Sequence, residues 1–328
     1  YRGNGPREGG SAEHRSFDGY LQGLSRNLGA RINHHLVTGV DRKNGMPNLH
    51  FADGQEATYD LLAVATGINS NFTAMLDGLD IGFQPPRMTR GYICEFRSTQ
   101  DEILRTLGRS VHVFLLSIPR FEFAAIIPKG RFATVVMVGD DIDQELVHEF
   151  LNDPVVRRAF PAATTPCVCS CSPLINLGAV TRPFGDRVVM VGDSGVTRLY
   201  KDGIGAAFRT GKAAATAAVF HGVSEADFEK NYWPACKRIV NDNRVGKFMF
   251  ASNTIMKHSG LTRRAILRMA QREQDREGAS PHMSSLLWNM FTGSAPYTEM
   301  FRGAFHPGFI LGFLASLLAS LKPAPKAV

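Results

Sequence analysis

Cysteine, tryptophan and acidic side chains are all scarce in this 328-residue sequence: five Cys, two Trp, and 30 Asp and Glu against 37 Lys and Arg. Five cysteines make no disulfide framework in a chain of this size, so a large apolar core has to carry the fold. Metal-site spacing is missing too, since there is no Cys-x-x-Cys pair and no His-x-x-Glu-His run, and the ten histidines are scattered. A Gly-x-Ser-x-Gly nucleophile elbow, an internal repeat, a signal peptide and a nucleic-acid-binding module are absent as well. The apolar tail Phe309 to Leu321 carries no charge, but as a helix it spans only about 20 Å. A hydrocarbon core needs about 30 Å, so the tail does not cross a bilayer.

What is present belongs to a folded protein: 44% apolar residues, 20% charged residues and a formal charge of +7. A basic balance suits an anionic cofactor or an anionic membrane surface. With no nucleic-acid module, nucleic acid is not an expected partner.

The most informative stretch is 187–220. The apolar run Val188 to Val191 stops at Gly192-Asp193, a loop leads to Gly203-Ile204-Gly205, and a run of very small residues follows. That order predicts a carboxylate at the end of a buried strand, close to a glycine-lined helix N-terminus. N–H groups at such a terminus, with the positive end of the helix dipole, suit an anionic cofactor. The small residues Ala206, Ala207, Gly211, Ala214, Ala215 and Ala218 are expected to let this helix lie close on a sheet.

A second segment, Tyr59 to Gly67, reads as a short apolar strand ending in Ala65-Thr66-Gly67, a tight turn beside a cofactor. Upstream, Tyr20, Leu21, Leu24 and Leu28 give a helical apolar face closed by Gly29. Ala30 to Val37 reads as a strand, followed by a hairpin around Asn44-Gly45 that returns through Leu49 to Phe51.

In these two segments the chain resembles flavoproteins of the p-hydroxybenzoate hydroxylase fold, and among them the geranylgeranyl reductase-like, FixC-like FAD-dependent dehydrogenases. The resemblance implies that Gly192 and Asp193 hold the ribityl chain of FAD, through the Asp193 carboxylate. It also implies that Gly203, Ile204 and Gly205 sit against the flavin and pyrophosphate. Arg15 would approach the phosphates or ribose, Val37 would lie near the adenine, and Ala65, Thr66 and Gly67 would turn beside the cofactor. The family usually has a proline and a further glycine in the loop where this sequence has Arg198 and Lys201.

FAD domains of this kind open with a Gly-x-Gly-x-x-Gly turn between a strand and a helix. Here Gly3-Asn4-Gly5 follows no apolar strand, and the next glycine is Gly9, which breaks the spacing. The expectation is therefore that the pyrophosphate turn lies outside this sequence and that the chain alone binds FAD weakly.

The expected fold class is α/β. An incomplete FAD-binding Rossmann-like domain occupies 1–80 and 173–222, an inserted antiparallel-sheet substrate domain 81–172, and a helical region 223–328. In the insert, strands are expected at Gly91 to Phe96, Val111 to Ile118, Phe121 to Ile127 and Phe132 to Val138, and a further strand starts at Cys167. Helices are expected at Glu225 to Asn241, Arg244 to Ser259, Leu261 to Gln274 and Ser284 to Phe291. Cys167, Cys169 and Cys171 would share one strand face, as small packing residues, as redox thiols near a flavin or as metal ligands. Geranylgeranyl reductases carry an aromatic-rich strand lining the prenyl tunnel; Phe121 to Lys129 sits in its place, with Ala125 and Ile127 where that family has a tryptophan and an aromatic before proline. An apolar substrate face is therefore expected, but not a geranylgeranyl substrate.

The function expected from the resemblance is an FAD-dependent oxidoreductase, a dehydrogenase or reductase of an apolar, isoprenoid or lipidic substrate. NAD(P)H is the candidate electron donor, and an electron-transfer protein is a further candidate partner. Two alternatives stand beside it: an FAD-dependent monooxygenase of the same fold, and a flavin-free interaction protein. Tyr200 and Cys94 are the candidate proton donors. The expected location is cytoplasmic, with residues 309–321 either dipping into one membrane leaflet or docking on their own domain; Ile310, Phe313, Leu314, Leu317, Leu318 and Leu321 form the bulky stripe.

Overall fold

A computed structural model describes residues 17–160, 167–178, 180–275 and 280–321. Helix α1 (Phe17–Asn27) forms where its apolar spacing predicts, but it buries no residue. Tyr20, Leu21, Leu24 and Leu28 stay exposed. The strand expected at Ala30 to Val37 lies further on, as β1 (Val37–Lys43). Its pairing with β2 (Met46–Phe51) sets the register, Lys43 opposite Met46 and Val40 opposite Leu49. The turn between them needs Asn44 and Gly45 at positive φ, 53° and 78°, which Asn-Gly tolerates well. β3 (Glu56–Thr58) completes this antiparallel sheet.

β4 (Leu62–Val64) is the strand that ends in Ala65-Thr66-Gly67. A 3₁₀ segment at Asn71–Leu79 follows and packs its buried Phe72, Leu76 and Leu79 against Val40, Val64 and Met190. β5 (Met88–Arg90) and β6 (Tyr92–Arg97) then lead into the insert.

The insert contains α2 (Gln100–Leu107), β7 (His112–Phe114), β8 (Phe121–Lys129), β9 (Phe132–Gly139), α3 (Gln144–Asn152), α4 (Pro154–Ala159) and β10 (Cys169–Cys171). Its five-stranded antiparallel sheet runs β10-β6-β9-β8-β7. Strand alternation divides the side chains between two faces. Cys94, Phe96, Ile126, Val135 and Met137 meet Ile103 of α2, Phe150 of α3 and Val156 of α4. Phe123, Val136 and Val138 face the other way and meet Leu199, Phe250, Met290 and Tyr297. Both faces are therefore covered, one by the insert's own helices and one by the C-terminal helices.

The cysteines depart from the packing expectation. Cys167 is disulfide-bonded to Cys94, whereas Cys169 and Cys171 are exposed on the edge strand β10.

After β11 (Leu174–Asn176) and β12 (Phe184–Gly185), β13 (Val188–Met190) pairs in parallel with β4, Val188 opposite Leu62 and Met190 opposite Val64. All three residues of β13 are fully buried. α5 (Gly203–Phe220) follows the loop. It buries Ala206, Thr210, Ala214 and Ala217, spaced four, four and three. Ala207 and Ala215, expected on the packed side, are exposed, as are Ile204 and Phe208.

The C-terminal helices are α6 (Glu225–Asn231), α7 (Trp233–His258), α8 (Gly260–Asp275), α9 (His282–Thr292), α10 (Tyr297–Ala304) and α11 (Pro307–Leu321). The break expected between Asn241 and Arg244 falls instead at Tyr232, where Pro234 occupies the first turn of α7 and costs no hydrogen bond. α11 docks on α8 through its small side: Ser316 and Ser320 are buried, and a Cβ at Gly312 would touch Met269. The expected bulky stripe is divided: Phe313, with Phe309, packs against the cluster of Ile266, Met269 and Met283, while Ile310, Leu314, Leu318 and Leu321 stay exposed beside Leu311. No single described helix is long and apolar enough to cross a membrane.

Candidate functional site

Parallel pairing of β4 with β13 brings the two strand ends together. The backbone continues the ladder from Val191 N–H to the Val64 carbonyl, and Gly67 N–H then donates to Ser194 Oγ at 2.7 Å. Ser194 is therefore the clamp between the Ala65-Thr66-Gly67 turn and the Gly192-Asp193 turn. Gly67 itself has φ +74°, a left-handed conformation that a Cβ would strain.

Gly192 also requires glycine, with φ +62° and Ala207 Cβ only 3.1 Å from where its own Cβ would stand. Its N–H donates to Thr210 Oγ1 at 2.8 Å, and that hydroxyl donates to the Ala206 carbonyl at 2.7 Å. One hydroxyl thus seats the strand end on the first turns of α5. A Cβ at Gly203 would lie 3.4 Å from both carboxylate oxygens of Asp193, so the carboxylate rests on the opening of the helix.

Asp193 is half-buried and makes no hydrogen bond or ion pair with any described residue. The first backbone bond of α5 is Ala206 N–H to the Asp202 carbonyl, and Asp202 gives no side-chain cap. The N–H groups of Gly203, Ile204 and Gly205 consequently have no acceptor among the described residues, a state that helix termini resolve with a cap, water or ligand. The structure gathers Ala65, Thr66, Gly67, Gly192, Asp193, Gly203, Ile204 and Gly205 into one open cradle. Val37 lies on the separate β1–β2–β3 sheet, packed at the edge of the cluster containing Val40, Val64 and Met190. Arg15 lies outside the described residues.

The two basic loop residues turn away from that role. Arg198 is buried, donates to the Gly293 carbonyl at 3.0 Å, and pairs with Asp202 at 3.0 Å and Asp242 at 3.5 Å. Lys201 donates to the carbonyls of Asn289 and Met290 at 2.7 and 3.0 Å and lies 4.2 Å from the Tyr297 ring centroid. Burial, with Arg198 nearby adding to it, pushes the Lys201 ammonium down to about 7, while Asp242 and Asp202 act in the opposite direction.

Three residues without a sequence expectation complete this latch. Asn243 takes Leu199 N–H at 2.9 Å and donates to the Thr197 carbonyl at 2.8 Å. Asp242 accepts from Tyr297 N–H and Thr298 N–H at 3.0 and 2.9 Å, capping α10. Tyr297 Oη donates to the Leu199 carbonyl at 2.5 Å. An Asn-Asp-Asn run inside a helix was the available signal, since such side chains favour caps and turns over helix interiors.

Beside the loop, a cavity of about 410 Å³ opens between the sheet and α7. Tyr200, Leu199, Leu177 and Phe250 give it apolar surface; Arg87, Lys247, Glu122 and Asp140 give it charge of both signs. Burial, and to a lesser degree the neighbouring Glu122 and Asp140, pushes the Tyr200 phenol up to about 12, so it keeps its proton at neutral pH. Cys94, the other proton-donor candidate, is in the disulfide within the sheet core. Among the described residues no group of three or more His, Cys, Asp or Glu could hold a metal ion.

No family model and no curated protein matches the chain. Its fold is shared with solved flavoenzymes. A flavoprotein/dehydrogenase from Cytophaga hutchinsonii aligns over 93% of this chain and 74% of its own, with a TM-score of 0.59 and 13% identity. The flavin-dependent halogenase CmlS aligns over 88% and 57%, with a TM-score of 0.53 and 16% identity. The flavin-dependent brominase Bmp2, as a triple mutant, aligns over 93% and 75%, with a TM-score of 0.52 and 14% identity. The chain spans about three-fifths of the length of several further structures with which it aligns. At these identities the likeness establishes the fold, mixed α/β of the FAD-binding oxidoreductase kind.

Proposed function

We propose that this chain is an FAD-dependent oxidoreductase whose cradle takes the ribityl and flavin end of the cofactor. The observation that carries the reading is the Asp193 carboxylate, half-buried and without a partner among the described residues, beside three N–H groups at the start of α5 that likewise find no acceptor there. A carboxylate only accepts hydrogen bonds, which suits ribityl hydroxyls. Unpaired N–H groups at the positive end of a helix suit a ring that becomes negatively charged. Gly192 lets the strand end pack on Ala207 of α5, and Gly203 lets the Asp193 carboxylate rest on the helix opening. When bound, the flavin supplies hydride or electron-pair transfer.

The residues around it then have distinct tasks. Asp193 and Ser194 orient the cofactor end against the Ala65-Thr66-Gly67 turn. The Arg198–Asp202–Asp242 latch holds the loop rigid on α10. Tyr200, kept protonated by burial, holds a proton at the cavity wall for transfer to substrate.

The finer reading is a dehydrogenase or reductase of the geranylgeranyl reductase-like branch, with an isoprenoid or lipidic substrate and NAD(P)H as donor. Phe250, which stacks on the buried Phe123 of β8 with ring centroids 6.3 Å apart, gives the cavity an apolar wall suited to such a substrate. The charged cavity wall favours a substrate with a polar end on an apolar body. A monooxygenase is the second reading, favoured by the fold shared with flavin-dependent halogenases. Substrate-stimulated oxidation of NAD(P)H by oxygen distinguishes it from oxygen-insensitive turnover with a quinone.

The exposed bulky side of α11 we assign to an anionic membrane surface. Arg264 and Arg272 are exposed on α8, the helix against which α11 packs, and supply the complementary charge.

The test of the flavin reading is titration of the chain with riboflavin, followed by quenching of flavin fluorescence. Saturable binding is expected, and Asp193→Ala should weaken it about 10- to 100-fold, the loss of one charge-assisted hydrogen bond. No saturable binding to the wild type refutes the reading and leaves the flavin-free interaction protein. Equal binding by Asp193→Ala removes the role given to the carboxylate.

A further inference from the structure

A second cavity of about 410 Å³ lies away from the cradle and shares no lining residue with the cavity at Tyr200. It sits where the outer sheet strand β7 and its continuation meet the end of α7 and the start of α8. Its apolar wall includes Phe114, Leu116, Ile266 and Leu267. Among the described residues the charged members of its lining are all cations, Lys257, Arg263 and Arg264, with no carboxylate.

Two features make this more than an apolar groove with a solvated rim. Lys257 is only 4% exposed, and its Nζ is bonded to the Phe121 carbonyl rather than to an acid. Among the described residues neither it nor the two arginines has an ion-pair partner within 4.0 Å; Arg263 donates to Ser117 Oγ at 3.0 Å. Glu122, the nearest acid to influence Lys257, is on β8, bonded to Thr254 and lining the other cavity. In addition, Arg263 and Arg264 share the same lining, so three cations are gathered on one wall. A buried cation without an anion and like charges held together are both costly, and an incoming oxyanion relieves both.

We propose that this cavity binds a single-chain fatty acid, its carboxylate held by Arg263, Arg264 and Lys257 and its chain lying along β7 and α8. The volume is within the roughly 300–1,000 Å³ typical of ligand pockets. The arginine fork matches a carboxylate in two-point geometry. An apolar wall with charge of one sign accepts an amphiphile whose head has the opposite charge, and it discriminates against a neutral head. This site is independent of the flavin reading, because none of its residues belongs to the cradle.

Isothermal titration of the flavin-free chain with dodecanoic acid, and with 1-dodecanol as the neutral match, tests the proposal. Saturable one-to-one binding of the acid is expected, at least about tenfold tighter than the alcohol. Arg263→Ala combined with Arg264→Ala should remove most of that preference while leaving the alcohol unaffected. Leu267 is 69% exposed, so Leu267→Glu leaves the fold intact and sets a negative charge at the mouth. It should weaken the acid at least about fivefold by charge repulsion. Absence of saturable acid binding, equal affinity for acid and alcohol, or unchanged acid binding in both variants would each overturn the proposal. A peptide strand added along the β7 edge, the other occupant such a site could hold, would show as competition by peptide and not by dodecanoate.

Discussion

Replacing Lys201 by methionine should remove a specific pH dependence of stability. In the unfolded chain this lysine titrates near 10.5, and in the fold burial lowers it to about 7. Between those values the unfolded chain holds a proton that the folded chain has released, so stability rises with pH across the window and levels off below about 7. A difference of one proton corresponds to at most about 1.4 kcal/mol per pH unit. Lys201 is partly open to solvent, which discounts the slope, so about 1 kcal/mol between pH 7.5 and 8.5 is the working expectation. Tyr200 and Cys236, both pushed up to about 12 by burial, act with the opposite sign. Their contribution is lost as pH rises from about 9 toward 12, and because wild type and variant share both groups it cancels in the difference between them. Urea unfolding of wild type and Lys201→Met across pH 7.0–8.5 supplies the assay. Methionine also loses the bonds to the Asn289 and Met290 carbonyls, which lowers stability at every pH without changing the slope. Two parallel stability curves would refute the reasoning, because they would mean that Lys201 titrates alike in both states.

Two glycine substitutions should separate close packing from helix preference. At Gly246 in α7 a Cβ would stand 2.6 Å from the Tyr297 ring, so overpacking of about 1–3 kcal/mol outweighs the gain of about 1 kcal/mol from alanine. At Gly211 in α5 nothing lies within 4 Å, and Gly211→Ala should raise stability by about 0.5–1 kcal/mol. Denaturant midpoints of the two variants should therefore move in opposite directions. For the membrane assignment, wild type should co-sediment with phosphatidylserine vesicles, and Leu311→Glu with Leu318→Glu should abolish it. Unchanged sedimentation of that variant would discard a role for α11.

Much of the cradle was legible in the sequence. A short apolar strand ending in Gly-Asp, and another ending in Ala-Thr-Gly, specify their local backbone through glycine conformations and burial, so both turned up at the positions expected. The Asn44-Gly45 hairpin was legible for the same reason. Wrong positions came where local signals were weak or duplicated. Ala30 to Val37 looked like a strand by composition, yet pairing with β2 begins only at Val37. Pro234 in the first turn of α7 moved the helix break upstream by about ten residues, because a proline there starts a helix as readily as it stops one. The cysteine run read as packing, while distance along the chain hid the approach of Cys94 to Cys167, 73 residues apart in sequence.

By itself the sequence determined the two turns, the order of strands and helices, and the chemistry each end of the cradle offers, since these follow from residue type at short spacing. Only the tertiary structure decided what the charges do. Arg198 and Lys201 looked like additions to a cofactor loop, but they bind carbonyls of α9 and its exit and the carboxylates of Asp202 and Asp242. The same holds for α11, where Ser316, Ser320, Phe309 and Phe313 pack on the domain while Leu314, Leu318 and Leu321 stay exposed. A charge or an apolar stripe records what a side chain can satisfy. Which partner satisfies it depends on residues tens of positions away, brought near only when the core closes.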